Sequence, residues 1–222
     1  MEPGSAYLSG TAADQPKDEN ELREYKLLLC LAEGFDDAEA AAVLDVFGWT
    51  AYRASISTVR VVVTGLHELV NGAFGASYAT DVPFERVDAA DFDALIIPGG
   101  FHNLGYDEAY CDEFRDLARA MHEAGKPIGS MCVGILPIAE SGILAGGEAT
   151  TYRFSSRHDN AGKLAECGAT VVDAPVVEWN GIVSCSGPAL SEEVCMRVLA
   201  LVAGDAAASE VARYRTGIDA RI

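Results

Sequence analysis

The chain has 222 residues, half of them hydrophobic, with 34 acidic against 16 basic side chains and a formal net charge of −18. That size and composition suit one medium domain with a sizeable core and short appendages, and the acidity argues against nucleic acid and anionic membranes, both of which bind basic faces. No apolar run reaches the roughly 18 residues needed to cross a bilayer, and residues 1–25 lack the apolar stretch of a secretory signal, so a cytoplasmic location is expected.

Residues 1–24 carry little hydrophobicity and many turn formers, and read as a disordered tail. KLLLCLA (26–32) is an apolar run of strand length, followed by a helix over 36–52 whose first turn holds the acids Asp36 and Asp37, read as exposed and favouring the dipole. TVRVVVTG (58–65) is a second strand, and 66–87 alternates around glycines as a hairpin does. DALIIPGG (93–100) is a third strand ending in a double glycine. A helix follows over 107–125, stopped by Gly125 and Pro127. PIGSM (127–131) is the next strand and 134–144 the next helix; EATTY, a helix over 158–167 and a strand pair over 169–185 turning at Asn180-Gly181 come after. Residues 191–204 close the domain as a helix. The domain spans 25–204, and 205–222 form a C-terminal extension. Alternating strands and helices imply right-handed crossovers and a mostly parallel sheet, an α/β three-layer sandwich of flavodoxin-like strand order 2-1-3-4-5, with the hairpin and the late strand pair added at an edge.

In such a sheet the ligand crevice lies beyond the carboxyl ends of the strands. Gly34 and Glu39 follow the first strand, Pro98-Gly99-Gly100 the third, and Cys132 the fourth, so residues remote in sequence converge there. Ser130-Met131-Cys132-Val133-Gly134 has the small-x-nucleophile-x-small form of a nucleophile elbow, which exposes the middle side chain on a strained turn. A cysteine in an apolar run is ordinarily packing; the elbow spacing with PGG upstream argues for a reactive thiol. The helix N-terminus beneath it lowers a thiol pKa. The Val133 amide with that of Gly99 or Gly100 can form an oxyanion hole, each donor worth roughly 3–4 kcal/mol. No GxGxxG follows the first strand and no Cys/His cluster has zinc spacing, so neither a cofactor nor a metal is expected. The other five cysteines are read as packing or surface thiols.

AEGFDDAEAAAVLDVF, DALIIPGG, IGSMCVGILPIAESGIL, EATTY and IVSCSGPA, in this order, resemble the DJ-1/PfpI superfamily over residues 26–204. The resemblance implies a homodimer and a small-molecule substrate. It also implies that Glu39, in Gly34-Phe35-Asp36-Asp37-Ala38-Glu39, is protonated and hydrogen-bonds the sulfur of Cys132. The peptidase-like branches place His directly after the nucleophile, where this chain has Val133, so a Cys-His protease is excluded. Glutamine amidotransferases carry a late His-x-Glu pair that is missing here, and Glu39 with Val133 fits isonitrile hydratases poorly. The branch nearest DJ-1 has His after Thr-Thr; here that position is Tyr152, which donates a hydrogen bond but does not exchange protons near neutrality unless strongly perturbed. His102 and His158 are the candidates to substitute for it in the pocket. Two readings follow: a cysteine enzyme acting on small reactive carbonyl or amide-like compounds, glyoxalase- or deglycase-like or a hydrolase, or a non-enzymatic oxidative-stress sensor or chaperone in which Cys132 is oxidised.

Overall fold

The computed structural model describes residues 22–217. In chain order it comprises β1 (Glu24–Leu31), α1 (Asp37–Gly48), β2 (Thr58–Gly65), β3 (Leu69–Asn71), β4 (Ser77–Ala79), β5 (Ala94–Ile97), α2 (Asp112–Glu123), β6 (Ile128–Ser130), α3 (Ile135–Glu140), β7 (Glu148–Ala149), α4 (Asn160–Glu166), β8 (Thr170–Val171), β9 (Val176–Trp179), β10 (Ile182–Cys185), α5 (Ser191–Ala203) and α6 (Asp205–Thr216), with short 3-10 turns between several of them. The tail expected over 1–24 lies outside the described residues except for its last three positions.

Successive strand side chains point to opposite faces, so a run apolar at every position needs cover on both sides. β1 meets that requirement. Leu28 and Cys30 pack on one face with Phe114 and Met121 of α2 and Ile135 of α3. Leu27, Leu29 and Leu31 pack on the other with Val43 and Phe47 of α1, Val194 and Val198 of α5, and Val211 of α6. All five β1 residues from Leu27 to Leu31 are fully buried, each leucine contributing about 1.5–3 kcal/mol by leaving water.

The main sheet runs β2-β1-β5-β6-β10-β9. Its first five strands are parallel, in the flavodoxin-like order read from the sequence, and β9 pairs antiparallel with β10. The late strand pair is therefore not wholly an edge addition: β10 is an interior strand, paired with β6 on one side and β9 on the other, and of the two only β9 lies at the edge. The β9–β10 turn falls at Asn180 and Gly181, both with positive φ, as a two-residue hairpin of this twist requires. β3 and β4 form their own two-stranded ribbon apart from the main sheet.

Helix boundaries are shorter than the periodicity suggests. The run over 107–125 breaks at Cys111, whose extended backbone (φ −73°, ψ 167°) separates a 3-10 turn, Tyr106–Tyr110, from α2. Gly142, with φ 88°, ends the helix begun at α3. Asp36 is not an exposed first-turn acid. It is buried and caps α1, its carboxylate accepting from the amides of Ala38 and Glu39 at 3.0 and 3.4 Å. Asp37 reaches sideways and accepts from Phe74 and Ala76 at 3.0 and 2.6 Å, fastening the β3–β4 turn to α1. Beyond residue 204 the chain continues as α6, laid on the α1/α5 side and held there by Arg215, which pairs with Asp45 at 2.7 Å and with Glu192.

Candidate active site

Ile97 of β5 and Ser130 of β6 are register partners, and the Ser130 hydroxyl donates to the Ile97 carbonyl at 3.0 Å. Pro98-Gly99 and Met131-Cys132 therefore leave the sheet side by side. Met131 is extended (φ −118°, ψ 150°), and Cys132 then turns sharply, with φ 53°, into the 3-10 turn that leads to α3. A non-glycine residue in that region is held against a cost on the order of 1–3 kcal/mol. Backbone proximity explains the flanking glycines. A Cβ on Gly134 would sit 2.6 Å from the Ile97 carbonyl oxygen, and one on Gly99 would sit 2.9 Å from Cys132 Cβ. The carbonyl of Cys132 accepts from Thr151 Oγ1 at 3.0 Å, and that of Pro98 from the fully buried Tyr106 hydroxyl at 2.5 Å.

Glu39 is buried beneath the elbow with no exposed surface, and its Oε2 accepts from the Gly99 amide at 2.5 Å. Burial raises its pKa to about 8, the nearby Asp36 charge adding to the rise and the Gly99 amide opposing it. It therefore carries a proton at neutral pH, as the resemblance implies. The hydrogen bond from Glu39 to the Cys132 sulfur is not formed: Oε1, the atom left over, is buried without a partner. The same contact corrects the oxyanion hole, because the Gly99 amide is occupied by Glu39. Gly100 and Val133 both line the cavity over the thiol.

The thiol of Cys132 is also shifted against expectation. Burial pushes its pKa well up, the charge of Glu39 adds to this, and the Val133 amide pulls the other way without prevailing. A three-residue 3-10 turn supplies too few aligned amides to offset the loss of water. Because Glu39 holds its proton below about pH 8, its contribution is absent at neutral pH and desolvation is what remains.

Over Cys132 opens a cavity of about 380 Å³, lined by Gly100, Phe101 and His102, by Tyr152, and by residues 154–158. Tyr152, His102 and His158, named from sequence, thus meet the thiol in one space, while Glu39 and Gly99 lie behind it. The His102 ring is clamped: Nδ1 lies 2.6 Å from Asp107 Oδ1, one face stacks on Tyr110 with centroids 5.5 Å apart, and the His158 ring lies 4.7 Å away. The carbonyl of Tyr152 accepts from Asn160 Nδ2 at 2.8 Å. Asp107, Tyr110, Tyr106 and Asn160 were missed in the sequence. Only the spacing of Asp107, five residues beyond His102, offered a signal, and it is lost among the many acids.

Residues 25–201 match the DJ-1/PfpI family. YraA of Bacillus subtilis is 32% identical over 165 residues, 73% of this chain and 89% of its own length. Deglycase PH1704 of Pyrococcus horikoshii is 31% identical over 167 residues, 74% of this chain and 91% of that protein. Among solved structures, DJ-1beta of Drosophila melanogaster superposes with a TM-score of 0.74 at 24% identity, over 87% of this chain and 98% of that one, a likeness of fold. The elbow at Cys132, the acid under it and the five-strand parallel order are thus set in a matched framework: the chain belongs to the DJ-1/PfpI family.

Proposed function

We propose that this protein is an enzyme in which the Cys132 thiol adds to the carbonyl carbon of a small reactive aldehyde or ketone, chemistry of the glyoxalase or deglycase kind. The observation that carries it is Cys132 itself, held at φ 53° and opening onto a cavity of about 380 Å³. A buried packing cysteine has no reason to occupy a strained turn. The name of the Pyrococcus horikoshii relative supports deglycase chemistry. The name of the Bacillus subtilis relative points to cysteine proteolysis, which the absence of His after Cys132 disfavours.

Desolvation keeps the resting nucleophile a thiol, so its proton must leave as the bond forms. With Nδ1–H of His102 donating to Asp107, Nε2 is the ring's basic atom, and it takes the thiol proton. The S–C bond forms, the carbonyl π pair moves to oxygen between the Gly100 and Val133 amides, and His102 returns the proton there to give a neutral hemithioacetal. Asp107 fixes the tautomer. Tyr152 donates to the substrate, and Glu39, locked on Gly99, positions the PGG loop. Turnover of methylglyoxal by the purified protein tests this: Cys132→Ser should abolish it, and His102→Gln should lower kcat about 10²-fold or more with little change in KM. An unaffected rate in Cys132→Ser sinks the proposal.

A second reading has one observation in its favour, the buried Oε1 of Glu39, which has no partner. Two equivalents of peroxide would oxidise Cys132 to a sulfinate, releasing two waters, and protonated Glu39 would donate to a sulfinate oxygen. Stoichiometric gain of two oxygens without aldehyde turnover would favour that sensor over the enzyme.

A further inference from the structure

The cavity wall facing Cys132 carries a cation that the thiol chemistry above does not use. Arg157 lines this space and is exposed, and among the described residues its guanidinium has neither an ion-pair nor a hydrogen-bond partner. Most of its counterparts are engaged: Arg153, four residues away, pairs with Asp173 at 3.1 Å, and Arg115, Arg119, Arg197 and Arg215 all hold carboxylates. In a chain with 34 acidic residues this guanidinium is left without a carboxylate while it lines the thiol cavity. Its segment is also shaped to hold it there. The Ser155 hydroxyl oxygen accepts from the amides of Arg157 and His158 at 3.3 and 3.1 Å, fixing the turn that carries Arg157.

The lining has one carboxylate, Asp36, and its Oδ1 is committed to the first amides of α1. Asp159 shares the adjoining groove with Arg157, its Oδ1 committed to the Gly162 amide at 2.9 Å, and the guanidinium's planar fork matches a carboxylate in two parallel hydrogen bonds. We infer that the natural substrate is a small carbonyl compound that also bears a carboxylate, an oxo acid, held by Arg157 while its carbonyl carbon meets Cys132 Sγ. This rests on Cys132 being the nucleophile, and it names what that nucleophile is offered.

Iodoacetate and iodoacetamide separate the two ideas, since they differ only in carboxylate against amide next to the carbon attacked. In both, the S–C bond forms, iodide leaves with the C–I electron pair, and the thiol proton passes to water. Alkylation rates would be read peptide by peptide, with the partly exposed Cys111 and Cys167 of the same molecule as references. The expected result is an iodoacetate-to-iodoacetamide rate ratio at Cys132 at least about threefold above theirs, as local charge focuses an anion. Arg157→Gln should bring that ratio down to theirs, whereas Arg153→Gln, which removes the same charge outside this cavity, should leave it unaltered. A ratio at Cys132 no higher than the references, or one that Arg157→Gln does not lower, overturns the carboxylate assignment while leaving the nucleophile standing. Failure of Cys132 to react with either reagent overturns the nucleophile, and the substrate class with it.

Discussion

At the scale of single residues the site is governed by two groups that share one dry pocket. Glu39 has a raised pKa of about 8 against an ordinary 4.5, and the consequence for stability has a definite sign. Below about 4.5 both folded and unfolded forms hold the proton and Glu39 contributes nothing. Between about 4.5 and 8 the folded protein binds more protons than the unfolded chain, so stability falls as pH rises; above 8 the loss is complete. At about 1.36 kcal/mol per unit the loss is on the order of a few kcal/mol. Glu39→Gln keeps an oxygen for the Gly99 amide and removes the ionisation. Its urea midpoint should therefore gain on wild type steadily from pH 5 to 8, and a difference that stays flat across that range would show Glu39 ionised in the fold. Burial also accounts for the Cys132 thiol. A cysteine read in sequence has its helix amides and its acid in view, but not the water it loses, and that omission reversed the sign.

At the scale of elements the elbow joins a three-residue strand, β6, to a six-residue helix, α3, through one residue of positive φ. Substitution there should invert the ordinary order of alanine and glycine. Within a helix glycine is worse than alanine by roughly 0.5–1 kcal/mol; at Cys132 the left-handed turn penalises any Cβ, so Cys132→Gly should be more stable than Cys132→Ala by about 1 kcal/mol. Thermal unfolding of the two variants measures this, and alanine being the more stable would mean that the turn relaxes without its thiol. The small-x-Cys-x-small spacing made this element legible before any coordinates, because close strand–helix approach demands small residues at fixed offsets. Its neighbours were less legible. Tyr106 and Asp107 lie in a 3-10 turn that the pattern merged with α2, since the extended break at Cys111 carries no glycine or proline.

The whole molecule is dominated by charge of one sign. With 34 acidic and 16 basic residues, mutual repulsion of the carboxylates opposes the compact state. Raising NaCl from about 20 to 200 mM shortens the screening length from roughly 20 to 7 Å, and the melting temperature should rise by a few degrees. A fall would mean that pairs such as Arg215 with Asp45 and Glu192, which fasten α6 over the core, outweigh the repulsion.

The amino-acid sequence by itself determined the layer order and the elbow. Continuous apolar runs such as KLLLCLA can only be strands covered on both faces, and the glycines around Cys132 admit only a tight turn between strand and helix. Tertiary structure alone decided which amide Glu39 occupies, and hence that Gly99 is a positioning contact and Gly100 faces the cavity. It decided that His102 is clamped by Asp107 and Tyr110, and that Tyr152 and residues 154–158 share one cavity with the thiol. It also decided that α6 lies back on α1 and α5. The strands announce themselves through local periodicity, a property of neighbours in sequence. Hydrogen-bond partners, desolvation and cavity walls depend on residues such as Glu39, Gly99 and Cys132 that meet only once the sheet has formed.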